Sequence, residues 1–291
     1  MENSITVRTP AKINLTLDIV GKRTDGYHFM KTIYQAVDLH DTVTVQLRED
    51  EKIDVVCDRP QVPHGESNLV YKAALAFFEY TGVPFNGMGI SIEKNIPLQA
   101  GLAGGSSNAA GVLVALNELF KTRLPLHQLC EIGVKLGADV PFCLTGGTAL
   151  AEGIGDILLP LPNCPECYIV LAKGTQGIST AEAFQKYDRL LIPRHPDTDE
   201  MIAAIAVGDV PRIAELCLNV LESAADLEEI GQLKNILLEN GALCAHMTGS
   251  GSAVFGIFEK KKQAAACLDE LKDAADFAEL CEPVETGIQI R

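Results

Sequence analysis

The chain has 291 residues, 47% hydrophobic and 22% charged, a composition typical of a globular protein of about two domains. Its 39 acidic residues outnumber 24 Lys and Arg, and the net charge of −15 argues against a nucleic-acid or membrane partner. No apolar run approaches the ~18 residues of a membrane span, there is no signal pattern, and nine scattered cysteines suit reduced thiols, so we expect a cytoplasmic protein.

The N-terminal part of the chain predicts several short strands. Residues 4–20 carry strand propensity that Pro10 interrupts. A turn signal, DGYH at 25–28, leads into MKTIYQAVDL, and the segments DTVTVQLRE and KIDVVC predict two further short strands. We therefore expect a strand-rich region at the start of the chain.

Helices and strands alternate over the middle of the chain. Asn68 begins a helical pattern, NLVYKAALAFFEYTG, that Gly82 ends, and GMGISIEKNIP predicts a strand ending at Pro97. Helices should follow from about 106 to 120 and over PLHQLCEIGVKLG. The segment ADVPFCLTGGTALAEGIGD predicts a loop followed by short strands.

The pattern changes beyond residue 160. CYIVLAKG predicts a buried strand, STAEAFQKYDRL a helix and IPRHPDTD a polar link. Acidic helices follow, then the hairpin-like LCAHMTGSGSAVFGIF, the helix KKKQAAACLDELKDA and a last strand. Strands and helices mix without a regular βαβ repeat, so we expect an α+β protein with two domains, residues 1–160 and 161–291.

The glycine-rich stretch PLQAGLAGGSSNAAG is the strongest candidate for a binding site. Gly101, Gly104 and Gly105 have no Cβ to keep a ligand from the backbone. Ser106 and Ser107 stand where the helix should begin, and either could cap it. The free N–H groups and dipole of a helix N-terminus bind phosphate without a lysine. The alternative is a glycine-rich turn packed against a neighbouring helix.

Two ionisable residues in apolar surroundings are candidates for catalysis. Lys12 lies inside the strand segment PAKINL, and Asp139 follows a helix end in LGADVPFC. Each has a simpler interpretation, an exposed strand lysine and a helix-cap or turn residue. Together, the cation could lower the pKa of an acceptor hydroxyl group and the carboxylate could receive its proton.

Three further features leave their roles open. The segment MTGSGSAVFGIF predicts either a hairpin with glycine at its turn or a second loop of backbone donors that closes over a substrate. Cys164 and Cys167 have C-x-x-C spacing, but neither a second zinc-ligand pair nor a following helix supports a metal or redox site. We interpret that segment as a turn with two thiols, and we assign no role to His246.

The segments PAKINL, IPLQAGLAGGSSNAAG and TGSGSAVFG, in this order, resemble the GHMP kinase superfamily. RTDGYH, SNLVYKA, LGADVPFC and TALAEGIGD further resemble its members that phosphorylate the 2-hydroxyl group of 4-diphosphocytidyl-2-C-methyl-D-erythritol, in the non-mevalonate route to isoprenoid precursors. The resemblance spans residues 8–260. It implies a two-lobed GHMP kinase fold, with an N-terminal lobe like domain 2 of ribosomal protein S5 and a ferredoxin-like C-terminal lobe.

The resemblance implies ATP and Mg²⁺ as cofactors, with Lys12 and Asp139 as the catalytic pair and Ser107 as a metal ligand. The residues that it places around ATP are Asn68, Lys94, Pro97, Leu98, Gln99, Ala100, Gly101, Leu102, Ala103, Gly104, Gly105, Ser106 and Ser107. Gln99 and Ala103 stand where glycine is commoner, although neither removes a backbone N–H group.

The resemblance also implies a site for a cytidine diphosphate-linked methylerythritol. The residues that it places there are Asn14, Tyr27, His28, Thr180 and Phe184. Tyr27 and Phe184 would sandwich the cytosine, a contact worth roughly 1–3 kcal/mol per base, and His28 would bind its polar edge.

Two other functions fit parts of the pattern. A GHMP kinase for homoserine, mevalonate or a sugar would not need the cytosine site, and a non-catalytic GHMP-fold binding module would not need Lys12, Asp139 and the glycine loop together. For either kinase function, the expected partner is a small-molecule substrate. The acidic helices of the second domain suit either a homodimer surface or exposure to water.

Overall fold

The computed structural model describes residues 3–191 and 194–291. Within them the β-strands are β1 Ser4–Lys22, β2 His28–Leu47, β3 Ile53–Cys57, β4 Met88–Glu93, β5 Thr148–Glu152, β6 Ile157–Pro160, β7 Tyr168–Lys173, β8 Leu218–Asn219, β9 Cys244–Met247, β10 Val254–Phe258, β11 Phe277–Cys281 and β12 Gln289–Ile290. The α-helices are α1 Leu69–Thr81, α2 Gly104–Leu119, α3 Leu126–Val134, α4 Val140–Thr145, α5 Thr180–Tyr187, α6 Thr198–Val207, α7 Val210–Leu216, α8 Glu228–Glu239 and α9 Lys261–Ala274. Short 3₁₀ helices occupy Gly65–Ser67 and Val220–Ala224.

The strands form two sheets. In the described residues the larger sheet has the order β12-β1-β2-β4-β3, with β5 paired to β2 and β6, and β8 paired to β1. The smaller sheet has the order β11-β7-β10-β9, and its neighbours are antiparallel. The long antiparallel pair β1–β2 runs from Ser4↔Gln46 to Lys22↔His28 and is the frame on which the site is built. The expected α+β class is confirmed.

Three layers of apolar side chains hold the sheets and helices together. One face of the larger sheet packs against α1, α2 and α3. Its other face shares a core with the smaller sheet and with α6 and α7. The smaller sheet in turn packs against α8 and α9. Because one core joins the two sheets, side chains from both halves of the chain lie close together.

Three local predictions were wrong. β1 continues through Pro10, because a shift in strand register between Pro10 and Ala11 accommodates a residue that cannot donate a ladder hydrogen bond. β2 is one strand instead of two, since it changes partner from β5 to β4 along its length. The loop expected after residue 137 contains the helix α4, with Pro141 in the first turn, where its missing N–H costs nothing.

The predicted start and stop of α1 are confirmed. The Asn68 side chain accepts a hydrogen bond from the Val70 N–H, and Gly82 ends the helix with a φ of 66°. α2 begins two residues earlier than expected, with Ala103 at the N-cap position, so neither predicted serine caps it. The boundary near residue 160 stays a prediction. Within the described residues, no helix combines the length and apolar character that crossing a membrane requires.

Candidate active site

A cavity of about 1130 Å³ lies where the two halves of the chain meet. Its walls come from β1 and β2, the loop before α2 with the first turn of that helix, the residues before α4, the start of α5 and the β9–β10 turn. The lining includes every residue that the sequence places at the site except Asn68 and Ser107. One cavity therefore holds the predicted phosphate loop, the predicted catalytic pair and the predicted base site.

The three glycines of the phosphate loop have three different surroundings. A Cβ at Gly101, whose φ is +75°, would lie 2.1 Å from the Thr248 carbonyl oxygen, so this residue packs against the β9–β10 turn. A Cβ at Gly104 would lie 2.7 Å from Lys94 Nζ. A Cβ at Gly105 would meet nothing within 4 Å and would stand in the cavity. Gly101 thus packs against a neighbouring turn and not against a helix, whereas Gly105 leaves room for a ligand.

The first turn of α2 presents unpaired backbone donors to the cavity. The first intrahelical hydrogen bond is donated by the Ser107 N–H to the Ala103 carbonyl, at 2.9 Å. The N–H groups of Gly104, Gly105 and Ser106 precede it, so they have no acceptor within the helix. These residues line the cavity, and the helix dipole adds partial positive charge. The arrangement is suited to phosphate oxygens.

The β9–β10 segment is a hairpin, and its turn also lines the cavity. Gly249, Ser250 and Gly251 face the cavity, while the strands pair from Val254↔Met247 onward. The N–H of Ala253 donates to the Ala100 carbonyl at 3.2 Å, joining the turn to the phosphate loop. The hairpin interpretation is therefore confirmed, and closure of this turn over a substrate stays a prediction.

Lys94 is neutralised by a buried carboxylate. It forms an ion pair with Asp41, which is fully buried and also accepts hydrogen bonds from Asn108 Nδ2 and from the N–H groups of Asn95 and Ile96, each at 2.8 Å. These contacts fasten the end of β4 to the first turns of α2. Lys94 lines the cavity, but its charge is already matched within the protein.

Lys12 is a buried cation without a carboxylate partner in the described ranges. Its ammonium group donates to Asn14 Oδ1 at 2.8 Å and to the Gly101 carbonyl at 2.9 Å, and it lies 5.1 Å from the centre of the Tyr34 ring. The residue is only 4% exposed, so the exposed-lysine interpretation was wrong. A buried, unpaired charge costs several kcal/mol, and the site therefore favours an anionic ligand.

Asp139 has the position of a helix cap but a different partner. It precedes α4, yet its carboxylate makes no capping hydrogen bond. Instead Asp139 Oδ1 accepts a hydrogen bond from the Tyr34 hydroxyl group at 3.0 Å. Burial and the negative charge of Asp139 raise the pKa of Tyr34 well above its usual value, so Tyr34 remains a donor.

The other end of the cavity is built from aromatic side chains. The His28 ring stacks on Phe184 with centroids 4.9 Å apart, and His28 Nε2 lies 2.7 Å from Asp188 Oδ1. Hydrogen bonds from Lys22 and His28 lower the pKa of Asp188. Tyr27 is 63% exposed at the rim. Phe184 therefore packs against His28 in this structure, and the His28 ring nitrogen expected to bind a base already has a partner.

Comparison with known proteins identifies the family. The model described as "GHMP kinases N terminal domain" matches residues 68–147, and the model "GHMP kinases C terminal" matches residues 201–276. A relative from Caldicellulosiruptor bescii is 46% identical over 90% of this chain and 92% of its own, and one from Alkaliphilus metalliredigens is 42% identical over 92% of each. Both are named 4-diphosphocytidyl-2-C-methyl-D-erythritol kinase. The chain belongs to this family of GHMP kinases.

A solved structure agrees with this assignment. The structure titled "Crystal structure of 4-(cytidine 5'-diphospho)-2C-methyl-D-erythritol kinase" has a TM-score of 0.80 and 31% sequence identity. The match covers 96% of this chain and 98% of that one. The GHMP kinase fold expected from the sequence is therefore confirmed over nearly the whole chain.

Two predicted site residues of this GHMP kinase lie outside the cavity lining. Asn68 uses both side-chain atoms to fix the start of α1, accepting from the Val70 N–H and donating to the Pro63 carbonyl at 2.7 Å. Ser107 is fully buried, and its hydroxyl group donates to the Pro10 carbonyl at 2.6 Å. This hydroxyl group faces β1, and the metal-ligand role of Ser107 stays a prediction.

Thr180 joins the two sides of the cavity in this kinase. Its hydroxyl oxygen lies 3.0 Å from Ser250 Oγ, across the gap between α5 and the β9–β10 turn. Sequence reasoning placed Thr180 at the site but did not select Ser250, Asp188 or Tyr34. A serine in a glycine-rich turn and an aspartate at a helix end are too common to be singled out by type alone.

Proposed function

We propose that the protein is an ATP-dependent kinase that phosphorylates the 2-hydroxyl group of 4-diphosphocytidyl-2-C-methyl-D-erythritol, a step in the non-mevalonate route to isoprenoid precursors. The observation that carries the proposal is the single cavity that combines free helix N–H groups, a buried unpaired lysine and an aromatic end. The relatives at 42% and 46% identity, which are named for this activity, support the choice of acceptor.

The phosphate groups of ATP would lie against the first turn of α2. The N–H groups of Gly104, Gly105 and Ser106 would supply donors that the helix holds in fixed positions. Mg²⁺ would enter with ATP as part of the substrate, held largely by phosphate oxygens and reducing their charge. The Ser107 hydroxyl group, which faces β1, would have to rotate to reach this ion.

The acceptor would react between Lys12 and Asp139. Its hydroxyl oxygen attacks the γ-phosphorus of ATP, a new P–O bond forms, and the bond between the γ-phosphorus and the β,γ-bridging oxygen breaks to release ADP. The Asp139 carboxylate takes the hydroxyl proton. Lys12, which lacks a counter-charge among the described residues, stabilises negative charge as it develops on the transferred group.

The cytidine end of the acceptor would occupy the aromatic end of the cavity. Phe184 lines this end of the cavity and stacks on His28, so the two rings together offer aromatic surface to a base. Tyr27 at the rim would cover the other side of the base, an arrangement that favours a planar ring over a small aliphatic acceptor. Homodimer formation and a cytoplasmic location stay predictions.

The proposal is tested by measuring ADP release from Mg-ATP with three acceptors: 4-diphosphocytidyl-2-C-methyl-D-erythritol, homoserine and mevalonate. We expect turnover with the first acceptor alone, because it alone carries a base for the aromatic end. Turnover confined to homoserine or mevalonate would refute the proposed acceptor. ATP binding without turnover on any of the three would favour the binding-module alternative.

A further inference from the structure

Tyr34 contacts both residues that are proposed to act on the substrate. Its hydroxyl group donates to Asp139 Oδ1 at 3.0 Å, and the face of its ring lies 5.1 Å from Lys12 Nζ. The side chain is 1% exposed, yet it borders the cavity. A phenylalanine would fill this buried position equally well, so packing alone does not explain the hydroxyl group of Tyr34.

We propose that Tyr34 is a positioning residue that keeps Lys12 and Asp139 from pairing with each other and aims each at the reacting atoms; the proposal rests on the proposed kinase function. A lysine and an aspartate in one partly buried cavity attract each other strongly. A direct ion pair would consume both the positive charge and the proton acceptor. Tyr34 gives each group a separate neutral partner instead, a ring face for the ammonium group and an O–H donor for the carboxylate.

The hydrogen bond also selects one oxygen of the carboxylate. Tyr34 occupies Oδ1, and Oδ2 of Asp139 accepts no hydrogen bond from residues 3–191 or 194–291. With its rotation restricted, the carboxylate presents Oδ2 for the proton of the acceptor hydroxyl group. Lys12 likewise keeps its remaining N–H bond for a ligand, because its other two are used by Asn14 and Gly101.

Tyr34 is itself held firmly enough for this role. It lies in β2 opposite Asn14 of β1 and Ala149 of β5. Its ring packs on Phe142 of α4, with centroids 4.9 Å apart, so the strand is linked to the helix that follows Asp139. A Cβ at Gly155 would lie 2.8 Å from the Tyr34 hydroxyl oxygen, and a larger residue there would displace it.

The test compares Tyr34→Phe with the matched control Tyr80→Phe. Both changes delete a phenol hydroxyl group that donates to a carboxylate, but the Tyr80 partner is Glu131, on the surface and away from the cavity. We expect Tyr34→Phe to lower kcat by about tenfold or more, with KM for ATP and for the acceptor within about threefold, because misplacing a catalytic group slows the chemical step and leaves binding intact. Tyr80→Phe should leave both constants unchanged.

A second variant, Tyr34→Leu, tests the ring. It should lower kcat further than Tyr34→Phe, because Lys12 loses its ring face and can approach Asp139. An unchanged kcat in Tyr34→Phe, in a wild-type enzyme that turns over, would overturn the proposal while leaving the kinase function intact. Loss of ATP binding or of folding alongside kcat would mark Tyr34 as a structural residue and also overturn it. An inactive wild-type enzyme would instead refute the kinase function on which the proposal rests.

Discussion

The two ends of the cavity are built from different kinds of atoms. At the phosphate end, the candidate ligands are the backbone N–H groups at the start of α2. Hydrogen bonds from the β9–β10 turn to the phosphate loop and the Lys94–Asp41 ion pair hold this region in place. At the aromatic end, the groups are side chains on the rim, such as Tyr27 and Phe184, steadied by the contact of His28 with Asp188. The backbone therefore sets the geometry of the phosphate end, and a few side chains set that of the aromatic end.

This difference matches what the two ends have to do. Phosphoryl transfer requires donors at constant positions around ATP, whatever the acceptor is. Recognition of one acceptor requires surfaces that can differ between related kinases without disturbing the fold. Changes at the phosphate end should therefore alter kcat or the KM for ATP, whereas changes at the aromatic end should alter the KM for the acceptor.

The largest effect is expected at Asp139. Replacing it with Asn keeps the shape and still allows Tyr34 to donate to the side-chain oxygen, but it removes the proton acceptor. We expect Asp139→Asn to lower kcat by about 10²- to 10⁴-fold while the protein stays folded, as steady-state kinetics and circular dichroism would show.

The matched change at the other end is Asp188→Asn. It weakens the support of His28 and Phe184 and should raise the KM for the acceptor with little change in kcat. If Asp139→Asn kept the wild-type rate, the proposed base would be wrong. If Asp188→Asn lowered kcat alone, the division between the two ends would not hold.

Phe184→Ala should give the next largest effect. Losing one stacking face costs roughly 1–3 kcal/mol, which corresponds to an increase of about 5- to 150-fold in the KM for the cytidine-bearing acceptor. The KM for ATP should stay unchanged, and Phe184→Tyr should restore most of the affinity. An equal rise in both KM values would show that α5 also supports the phosphate end.

A smaller effect is expected at Gly105, and Gly231 of α8 provides the control. Both are helical glycines at which a Cβ would meet nothing within 4 Å, so alanine should add up to about 1 kcal/mol of helix stability at either position. Only Gly105 faces the cavity, and we expect Gly105→Ala to raise the KM for ATP by about tenfold because the Cβ blocks close approach to the backbone.

Gly231→Ala should raise the melting temperature and leave both KM values unchanged. Thermal unfolding and initial rates would be measured on the two variants side by side. An unchanged KM for ATP in Gly105→Ala would argue that phosphate does not contact this turn.

The smallest effect at neutral pH is expected from replacing Glu222, which lies against the end of β9. Its carboxylate accepts from the Met247 N–H at 2.7 Å, pairs with Lys234 and lies 3.6 Å from His246 Nδ1. Burial alone would raise the pKa of Glu222, but these contacts lower it to about 2. His246, which the sequence left without a role, thus helps to hold the turn.

The sign of the pH effect follows from that lowered pKa. The unfolded chain takes up a proton near pH 4.5 and the folded chain only near pH 2, so the stabilisation is complete above pH 4.5 and is lost as the pH falls towards 2. We expect the free energy of unfolding to fall by on the order of 3 kcal/mol over this range. Urea unfolding would be measured at pH 5 and pH 3. Between these two pH values the free energy of unfolding should fall less in Glu222→Gln than in the wild-type protein. An equal fall in both proteins would contradict the lowered pKa of Glu222.

The elements with local signals were predictable from the sequence. The α1 helix is bounded by an Asn cap and a glycine stop, each of which acts within a few residues. The glycine loop was recognisable because it needs unusual backbone angles. Even Gln99 and Ala103, which stand where glycine is commoner, have positive φ values of +50° and +57°.

The features that depend on distant partners were not predictable. Tyr34 sits in a strand that mixes polar and apolar residues and resembles by type an ordinary core residue, because its partner Asp139 lies 105 residues away. The ion pair of Lys94 with Asp41 was likewise hidden, since nothing nearby in the sequence shows that Asp41 neutralises Lys94. The helix α4 has only six residues, which is too short for a helical period to show.

The main-chain donors of the phosphate end have a consequence for inhibition. A compound anchored on the N–H groups of Gly104, Gly105 and Ser106 would bind atoms that every residue type except proline retains. A compound anchored on Tyr27 and Phe184 would instead depend on two side chains that one substitution each can remove. Resistance under selection should therefore arise sooner against the second compound than against the first.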